Sequence, residues 1–118
     1  MVRLTITKEL LRDNHIVVMP TGAIWSFKRE GRPLKVTYNR TDGYKQTALS
    51  LWVNGKSHRV NVKVHRLVIL CHGPEQPSEA HEVNHIDGKK WNNHIDNLEW
   101  VTSSENTIHY HQVIKNKC

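Results

Sequence analysis

The chain has 118 residues, room for one small domain or for two small lobes that share a core, so multidomain enzymes and large cofactor-binding sheets are excluded. Lysine and arginine total 17 against 11 aspartate and glutamate, and the resulting charge of +6 favours a polyanionic partner. The only cysteines, Cys71 and Cys118, are too few for a disulfide scaffold or a four-thiolate zinc site. The longest apolar run, residues 67–71, is too short to span a membrane and no secretory leader is visible, so we expect a soluble, intracellular protein.

The charge is unevenly distributed along the chain. Residues 1–66 carry 13 basic and 4 acidic side chains, a net charge of +9, whereas residues 67–118 carry 4 basic and 7 acidic ones, a net charge of −3. A basic segment of this kind is either an anion-binding surface or a solvated face that keeps a small domain in solution. Six of the nine histidines lie after residue 70, and histidine supplies both general bases and metal ligands.

Residues 15–64 show the β-branched, aromatic and polar alternation that is typical of short strands. Two joints, Asp42-Gly43 and Asn54-Gly55, predict tight hairpins because glycine accepts the positive φ that such turns require. The predicted strands cover residues 15–19, 23–27, 34–38, 45–53 and 58–64. Lysine and arginine are interleaved along them, so the sequence predicts an antiparallel sheet with one packed face and one cationic face.

A short apolar segment, residues 65–72, follows the predicted sheet and ends at Gly73-Pro74, which indicates a packing helix with a terminal stop. We therefore divide the chain into a basic antiparallel-sheet lobe that ends in a short helix, residues 1–74, and a second unit, residues 75–118.

The second unit is predicted to be strand, loop, strand and helix. The strands cover residues 82–87 and 98–101, with a polar loop between them. The helix is expected over residues 103–114, because Thr102 and Glu105 form a capping box at its start.

Three segments of this unit resemble the HNH endonuclease family, especially the small enzymes of phages and mobile introns. They are VNHIDG at residues 83–88, NNHIDNLEWV at residues 92–101 and SENTIH at residues 104–109. The upstream HRLV at residues 65–68 resembles the segment that commonly precedes the motif in that family. The resemblance implies a ββα-metal unit, two strands and a helix around one divalent cation, that cuts phosphodiester bonds in DNA. Together with the antiparallel sheet predicted for the N-terminal segment, this gives an α+β fold class.

The resemblance also implies roles for individual residues. His85 matches the general base, and Asn97 matches the middle asparagine, which is suited to bracing the loop around that base. Asn84 and Asn106 match metal-ligand positions, and His109 could approach the metal from the same helix face as Asn106. An imidazole is well matched to deprotonating water at neutral pH, and amide oxygens are hard ligands for Mg²⁺ or Mn²⁺.

Asn84 stands where the family more often has aspartate. Two neutral amides hold Mg²⁺ weakly, so we expect the DNA phosphate, or a nearby acid such as Asp87 or Glu105, to supply negative charge. Successive residues of a regular strand also point to opposite faces, so Asn84 and His85 can serve one site only if the strand ends or bulges there.

Other residues of the unit have structural interpretations. We interpret Asn92 and Asn93 as turn residues. The remaining apolar residues are expected to form a hydrophobic floor under the site: Trp91, Trp100, Leu98, Val101 and Ile108.

The basic segment is the natural source of affinity for DNA, because lysine and arginine neutralise phosphates. Its strands and hairpins could also lie in the major groove. The candidate DNA contacts are Arg29, Arg32, Lys35, Arg40, Lys45, Lys56, Arg59, Lys63, Lys89 and Lys90, the last two being equally explained as solubilising loop residues.

The sequence therefore predicts a divalent-metal-dependent endonuclease of double-stranded DNA that nicks one strand per active site. We expect one Mg²⁺ or Mn²⁺ ion, no structural zinc and a monomer, with a dimer left open. The location would be the cytoplasm of a bacterial host if a phage encodes the protein. Two alternatives stay open: a non-catalytic DNA-binding module that retains the fold, and an RNA-directed relative.

Overall fold

The computed structural model describes residues 5–109, with the backbone alone for His109. A 3₁₀ turn, Ile95–Asn97, precedes the last strand. The helices are α1 (Lys8–Asp13), α2 (Val64–His72) and α3 (Ser103–His109), and the strands are β1 (Ile16–Val18), β2 (Ile24–Ser26), β3 (Arg32–Pro33), β4 (Val36–Tyr38), β5 (Lys45–Val53), β6 (Lys56–Lys63), β7 (His81–His85) and β8 (Leu98–Thr102). None of the helices in this part of the chain has the length and apolar character that crossing a bilayer requires.

The strands form three antiparallel sheets, ordered β1-β2-β3, β4-β5-β6 and β7-β8. The predicted α+β class, with antiparallel sheets before a C-terminal helix, is confirmed. The N-terminal segment holds two small sheets instead of one, and α1 was not predicted. That helix has only six residues, too few for a helical period to stand out, and it begins where the side chain of Thr7 accepts a hydrogen bond from the Leu10 N–H.

The hairpin of β5 and β6 has two unlike faces. Its turn contains Asn54 at φ 51° and Gly55 at φ 76°, as the Asn-Gly pair predicts. Leu49 and Leu51 are fully buried on the inner face, whereas the outer face carries Ser50 opposite Arg59. Because successive side chains of a strand point to opposite faces, this sheet has one packed side and one polar, cationic side.

Within residues 5–109, one hydrophobic core joins the N-terminal sheets to the C-terminal hairpin. Val64, Leu67, Val68 and Ile69 of α2 are at most 1% exposed, and they pack in one cluster with residues of the first two sheets and with Leu98 of β8. The division of the chain after residue 74 stays a prediction, and this core includes residues on both sides of that point.

The β7-β8 hairpin and α3 place the C-terminal site. The register is continuous from His81 opposite Thr102 to His85 opposite Leu98. The capping box is confirmed, because the Thr102 N–H donates to Glu105 Oε1 at 3.1 Å and the Glu105 N–H donates to Thr102 Oγ1 at 3.3 Å.

The predicted hydrophobic floor is only partly correct. Leu98 and Val101 are buried and Trp100 packs against the core. Trp91 and Ile108 are 52% and 55% exposed, because Trp91 lies in the loop between the strands and Ile108 lies on the outer side of α3.

Candidate functional site

His85 is the last residue of β7, and its side chain is buried. Its Nε2 lies 2.8 Å from Oδ1 of Asn93, which belongs to the loop between β7 and β8. A carboxamide oxygen only accepts hydrogen bonds, so Nε2 carries the proton and Nδ1 keeps the lone pair. The arrangement presents one defined nitrogen of His85 as a proton acceptor.

Two further rings enclose His85. The centroid of the Tyr44 ring lies 5.8 Å from that of His85, at an interplanar angle of 28°, and the centroid of His65 lies 5.1 Å away, at 67°. Tyr44 also contacts His65, with centroids 4.8 Å apart. Across residues 5–109, Nδ1 of His65 is the only buried side-chain nitrogen or oxygen without a hydrogen-bond partner, a state that costs about 1–3 kcal/mol.

Both histidines are neutral at pH 7. Burial lowers the pKa of His85, although the hydrogen bond with Asn93 and the nearby Asp87 carboxylate oppose the shift. Burial, reinforced by the neighbouring His85 and Arg66, lowers the pKa of His65 to about 3. A neutral imidazole is the form that can accept a proton from water.

Asn97 holds the turn that follows His85. Its Oδ1 accepts a hydrogen bond from the Asp87 N–H at 3.0 Å, and its Nδ2 donates to Asp87 Oδ1 and to the Asn92 carbonyl, both at 2.9 Å. The carbonyl of Asn97 accepts from the Ile86 N–H at 2.8 Å. Although desolvation opposes the change, hydrogen bonds from Asn92, the Lys89 N–H and Asn97 lower the pKa of Asp87, so its carboxylate stays charged within this network.

A second cluster lies on the other face of β7. Asn84 is buried, and its Nδ2 donates to Oε1 of Glu99, opposite it on β8, at 3.0 Å. Asn106 of α3 donates from Nδ2 to Oε1 of Glu82 at 2.7 Å. Glu82 and Asn84 are two residues apart on β7, so the four side chains share one face of the hairpin. Each amide gives an N–H to a carboxylate, which leaves its oxygen available as a ligand.

This amide and carboxylate set fits a divalent cation. Oxygen ligands of this kind suit Mg²⁺ and Mn²⁺. The part of the chain that the structure describes contains no group of three or more His, Cys, Asp or Glu that could hold a metal ion, so a cation here would depend on the two amides. The side chain of His109, the further predicted ligand, lies outside the described residues.

The acids expected to assist Asn84 are engaged elsewhere. Asp87 belongs to the network of Asn97, and Glu105 caps α3 through Thr102. The carboxylates that lie beside the two amides are instead Glu99 and Glu82. Strand pairing puts Glu99 opposite Asn84, and Glu82 accepts a hydrogen bond from Asn106.

The structure separates the predicted base from the predicted ligands. No hydrogen bond among the described residues joins His85 to Asn84 or Asn106, because β7 runs regularly to His85 and consecutive side chains point to opposite faces. The two clusters are neighbours through the backbone at the end of β7. Their convergence on one cation stays a prediction.

The interpretation of Asn93 as a turn residue is wrong. Its side chain is buried and hydrogen-bonds His85, whereas Asn92 next to it donates to Asp87 Oδ2 within the loop. Two asparagines in a polar loop look alike in the sequence, and only the tertiary structure distinguishes them.

Two of the predicted DNA contacts lie beside the rings around His85. The Nζ atoms of Lys63 and Lys90 are each 4.8 Å from the centroid of Tyr44. Lys63 forms an ion pair with Asp42 at 2.8 Å and lowers the pKa of that carboxyl, while Lys90 donates to the Asp42 carbonyl at 2.7 Å. These contacts attach the β4-β5 turn to the loop that follows His85.

The other predicted DNA contacts are more dispersed. Arg59 shares the outer face of β6 with Lys63. Lys45 lies 5.7 Å from the ring centroid of Tyr38, and Lys89 lies 5.7 Å from that of Trp91. The remaining predicted contacts are exposed and lie on other parts of the N-terminal segment: Arg29, Arg32, Lys35, Arg40 and Lys56.

Sequence reasoning missed five residues of the site: His65, Tyr44, Asn93, Glu99 and Glu82. For His65 there was a signal, the HRLV segment, but the apolar residues after it favoured a packing role. Glu99 could have been found from strand pairing, which requires the register. Nothing local distinguishes Tyr44 or Asn93 from other turn and loop residues.

Residues 62–108 match the protein family described as HNH endonuclease. The chain is 36% identical over 103 residues to an uncharacterized HNH endonuclease of Acanthamoeba polyphaga mimivirus, an alignment that covers 86% of this chain and 28% of the relative. It is 40% identical over 92 residues to YosQ of Bacillus subtilis, named as an SPbeta prophage-derived HNH homing endonuclease, with 78% of this chain and 50% of the relative covered.

A similar solved structure concerns DNA binding and cleavage by the HNH homing endonuclease I-HmuI. It superposes with a TM-score of 0.66 at 34% identity and covers 87% of this chain and 58% of the other. I-HmuI of Bacillus phage SP01 is 38% identical to the chain over 96 residues, 80% of this chain and 50% of the relative. The chain thus spans about half the length of these two Bacillus relatives and less of the mimivirus protein.

Proposed function

Because the chain belongs to the HNH homing-type endonuclease family, we propose that it is a divalent-metal-dependent endonuclease that hydrolyses phosphodiester bonds in double-stranded DNA. The observation that carries this proposal is the state of His85. Its ring is buried, it is neutral, and Asn93 holds the proton on Nε2, so that Nδ1 is free to act as a base.

In the proposed reaction, Nδ1 of His85 takes a proton from a water molecule as the water oxygen bonds to phosphorus. The bond from phosphorus to the 3′ oxygen breaks, and that oxygen leaves in line with the attack. Asn93 keeps the His85 ring in the productive tautomer, and Asn97 keeps the following turn in place. These residues prepare the base before DNA arrives, so little reorganisation is needed during the step.

For the cofactor we propose Asn84 and Asn106 as ligands through their amide oxygens, with Mg²⁺ or Mn²⁺ as the ion. Glu99 and Glu82 would hold the two amides by their N–H groups and add the negative charge that asparagine lacks. When bound, the ion would stabilise the charge that develops on the phosphoryl oxygens and on the departing 3′ oxygen.

For DNA binding we propose the outer face of the β5-β6 hairpin. This face carries Arg59 and Lys63, and at one end it reaches Tyr44 and Lys90 beside His85. A phosphate backbone that follows this cationic face would bring a phosphodiester to His85, the proposed general base. A monomer with one active site would nick one strand, and a DNA substrate agrees with an intracellular location, the bacterial cytoplasm if a phage encodes the protein.

A plasmid-nicking assay with Mg²⁺, Mn²⁺ or EDTA tests the proposal. The wild-type chain should convert supercoiled plasmid to the nicked form only in the metal-containing lanes. His85→Ala should slow cleavage about 10²–10⁴-fold, the range for a general base, and leave DNA affinity nearly intact. The matched control is His58→Ala, an exposed histidine on β6, which should cleave like the wild type.

Two results would overturn the proposal. Binding of DNA without cleavage in every lane would favour the non-catalytic module. Preferential binding and cleavage of RNA in a competition with duplex DNA would favour the RNA-directed reading. Equal loss of binding and cleavage in His85→Ala would assign that residue to folding.

A further inference from the structure

Trp91 is an exposed aromatic residue in the loop that joins β7 to β8. It is 52% exposed, whereas Trp100 on β8 packs against the hydrophobic core. One exposed apolar side chain is common on a protein surface, so exposure alone assigns no role to Trp91. The position of the residue distinguishes it, because the loop begins directly after His85, the proposed general base.

The residues on both sides of Trp91 are tied to the surroundings of His85. The Nζ atom of Lys90 lies 4.8 Å from the ring centroid of Tyr44, a ring that itself packs against His85. Asn93, two residues after Trp91, hydrogen-bonds the His85 ring at 2.8 Å. The indole therefore projects from a short stretch of backbone that is anchored beside the base at both ends.

Hydrogen bonds within the loop fix this stretch of backbone. The Asn92 N–H donates to the Lys89 carbonyl at 3.0 Å, and Asn92 Nδ2 donates to Asp87 Oδ2 at 2.8 Å. The Asn92 carbonyl accepts from Asn97 Nδ2 at 2.9 Å. Because the backbone on either side of Trp91 is already ordered, little conformational entropy is lost when the exposed indole is buried against a ligand.

The charges near Trp91 suit a nucleic acid. The Nζ atom of Lys89 lies 5.7 Å from the ring centroid of Trp91, and Lys90 is the next residue. The carboxylate of Asp87 accepts hydrogen bonds from amides of the loop itself. A ring that can stack on bases, beside ammonium groups that neutralise phosphates, is the combination that binds unstacked nucleotides. The lysines disfavour a protein partner, since the cores of protein interfaces are depleted of lysine.

Resting on the endonuclease function proposed above, we propose that Trp91 is a substrate-positioning residue that contacts the bases beside the cleaved phosphodiester. Its indole inserts at the base-pair step next to that phosphodiester and stacks on one of the bases, while Lys89 neutralises the adjoining phosphate. Insertion unstacks the step and bends the duplex at the point of attack, which holds the phosphodiester in line with His85.

An insertion of this kind selects DNA sequence without reading base edges. Every base has a face on which an indole can stack, so the contact itself tolerates different sequences. The energy needed to open a base-pair step is not uniform, because pyrimidine–purine steps such as TA and CA unstack more readily than others. We therefore expect cleavage to fall preferentially beside pyrimidine–purine steps.

The test measures single-turnover cleavage by the full chain at saturating DNA, on duplexes that contain its mapped nicking site. Each duplex is prepared fully matched and with a mismatched base pair beside the cleaved phosphodiester, because a mismatched base costs less to unstack. Trp91→Ala removes the ring and Trp91→Phe keeps one. Phe27→Ala, at an exposed aromatic residue after β2, is the matched control. DNA affinity and thermal melting are measured for each variant.

On the matched duplex we expect Trp91→Ala to cleave about 10- to 100-fold more slowly than the wild type, because the phosphodiester is no longer held in line. The mismatch should bring this variant to within about fivefold of the wild-type rate, because the step no longer has to be opened. Trp91→Phe and Phe27→Ala should stay within about fivefold of the wild type on both duplexes, and the Trp91 variants should melt at the wild-type temperature. A purely structural residue could not be rescued by a change in the DNA.

Several outcomes would overturn the inference. Wild-type cleavage of the matched duplex by Trp91→Ala would remove the residue from the reaction, and equal slowing on both duplexes would exclude insertion. A phenylalanine variant as slow as the alanine variant would exclude stacking, and a lower melting temperature without rescue would assign Trp91 to folding. Failure of the endonuclease proposal is distinguishable, because the wild type would then leave both duplexes intact with Mg²⁺ or Mn²⁺, and the inference would fail with it.

Discussion

At the residue scale, the two buried histidines differ in what surrounds their nitrogens. His85 has Asn93 on Nε2, whereas no partner meets Nδ1 of His65 within residues 5–109. The motif made His85 predictable, because its spacing to Asn97 and Asn106 is a property of the sequence. The role of Asn93 was not predictable, because it depends on how the loop between β7 and β8 folds back against His85.

The partnership of Asn93 and His85 can be tested by removing the acceptor. Asn93→Leu should release the Nε2 proton, give His85 a mixture of tautomers and slow cleavage about tenfold or more. Asn93→Asp keeps an acceptor, so it should retain the tautomer and raise the pKa of His85 through its charge. Long-range ¹H–¹⁵N spectra of the imidazole report both quantities. A single Nε2–H tautomer in the leucine variant would contradict the assignment.

Burial of neutral His65 should make stability depend on pH. Its pKa is about 3 in the folded chain against an ordinary 6.5, so below pH 6.5 the unfolded chain binds a proton that the folded chain does not. The free energy of unfolding is therefore highest above about pH 6.5 and decreases as the pH is lowered toward 3. We expect the free energy of unfolding to drop by about 1 kcal/mol between pH 7.5 and 5.5, measured by urea denaturation at constant ionic strength. His65→Phe should lose most of this dependence, and an unchanged slope in that variant would refute the explanation.

At the element scale, the β7-β8 hairpin places Glu99 and Glu82 beside the side-chain amides of Asn84 and Asn106. The sequence predicts both strands and their alternation, so the opposite orientations of Asn84 and His85 followed from the chain itself. The pairing of Asn84 with Glu99 did not, because register between strands joined by a twelve-residue loop is set by packing and not by turn chemistry. The capping box of α3 was predictable because it involves residues only three apart.

Glu99→Gln should weaken the proposed cation site by removing charge next to Asn84. We expect Mn²⁺ affinity, measured by paramagnetic resonance titration of the chain with an uncleaved duplex, to fall about 10- to 100-fold. Glu79→Gln makes the same change of charge in the exposed loop before β7 and should leave the affinity unchanged. Equal effects of the two variants would mean that only net charge matters.

At the scale of the whole molecule, the basic and acidic parts of the chain share one core. The outer face of β5-β6 and the loop after His85 meet at Tyr44, where Lys63 and Lys90 converge. Charge counting along the sequence predicted a basic surface, and the fold brings only part of it to the site. Arg59 is the cationic residue that continues this face away from the rings.

Binding to duplex DNA should weaken steeply with salt, because each phosphate contact contributes about 0.9 to the slope of log affinity against log salt. Arg59→Gln should weaken binding across unrelated sequences and reduce that slope by about 1. Lys8→Gln on α1, an exposed charge that is not among the predicted contacts, is the matched control and should leave the slope unchanged. Fluorescence anisotropy over a range of salt concentrations measures both. Equal slopes for Arg59→Gln and the wild type would mean that the DNA follows another surface of the protein.

The amino-acid sequence by itself determined the strands and helices with strong local patterns, the tight turn at Asn54-Gly55 and the chain positions of His85, Asn84, Asn97 and Asn106. These features depend on periodicity, turn chemistry and spacing, which act between near neighbours in the chain. The turn predicted at Asp42-Gly43 is instead a six-residue connection between β4 and β5. Only the tertiary structure decided that Tyr44, His65 and Asn93 surround His85, and that Glu99 and Glu82 hold the two amides. Those contacts join separate elements, and they exist because burying the aliphatic residues of α2, β5 and β8 in one core brings the elements together.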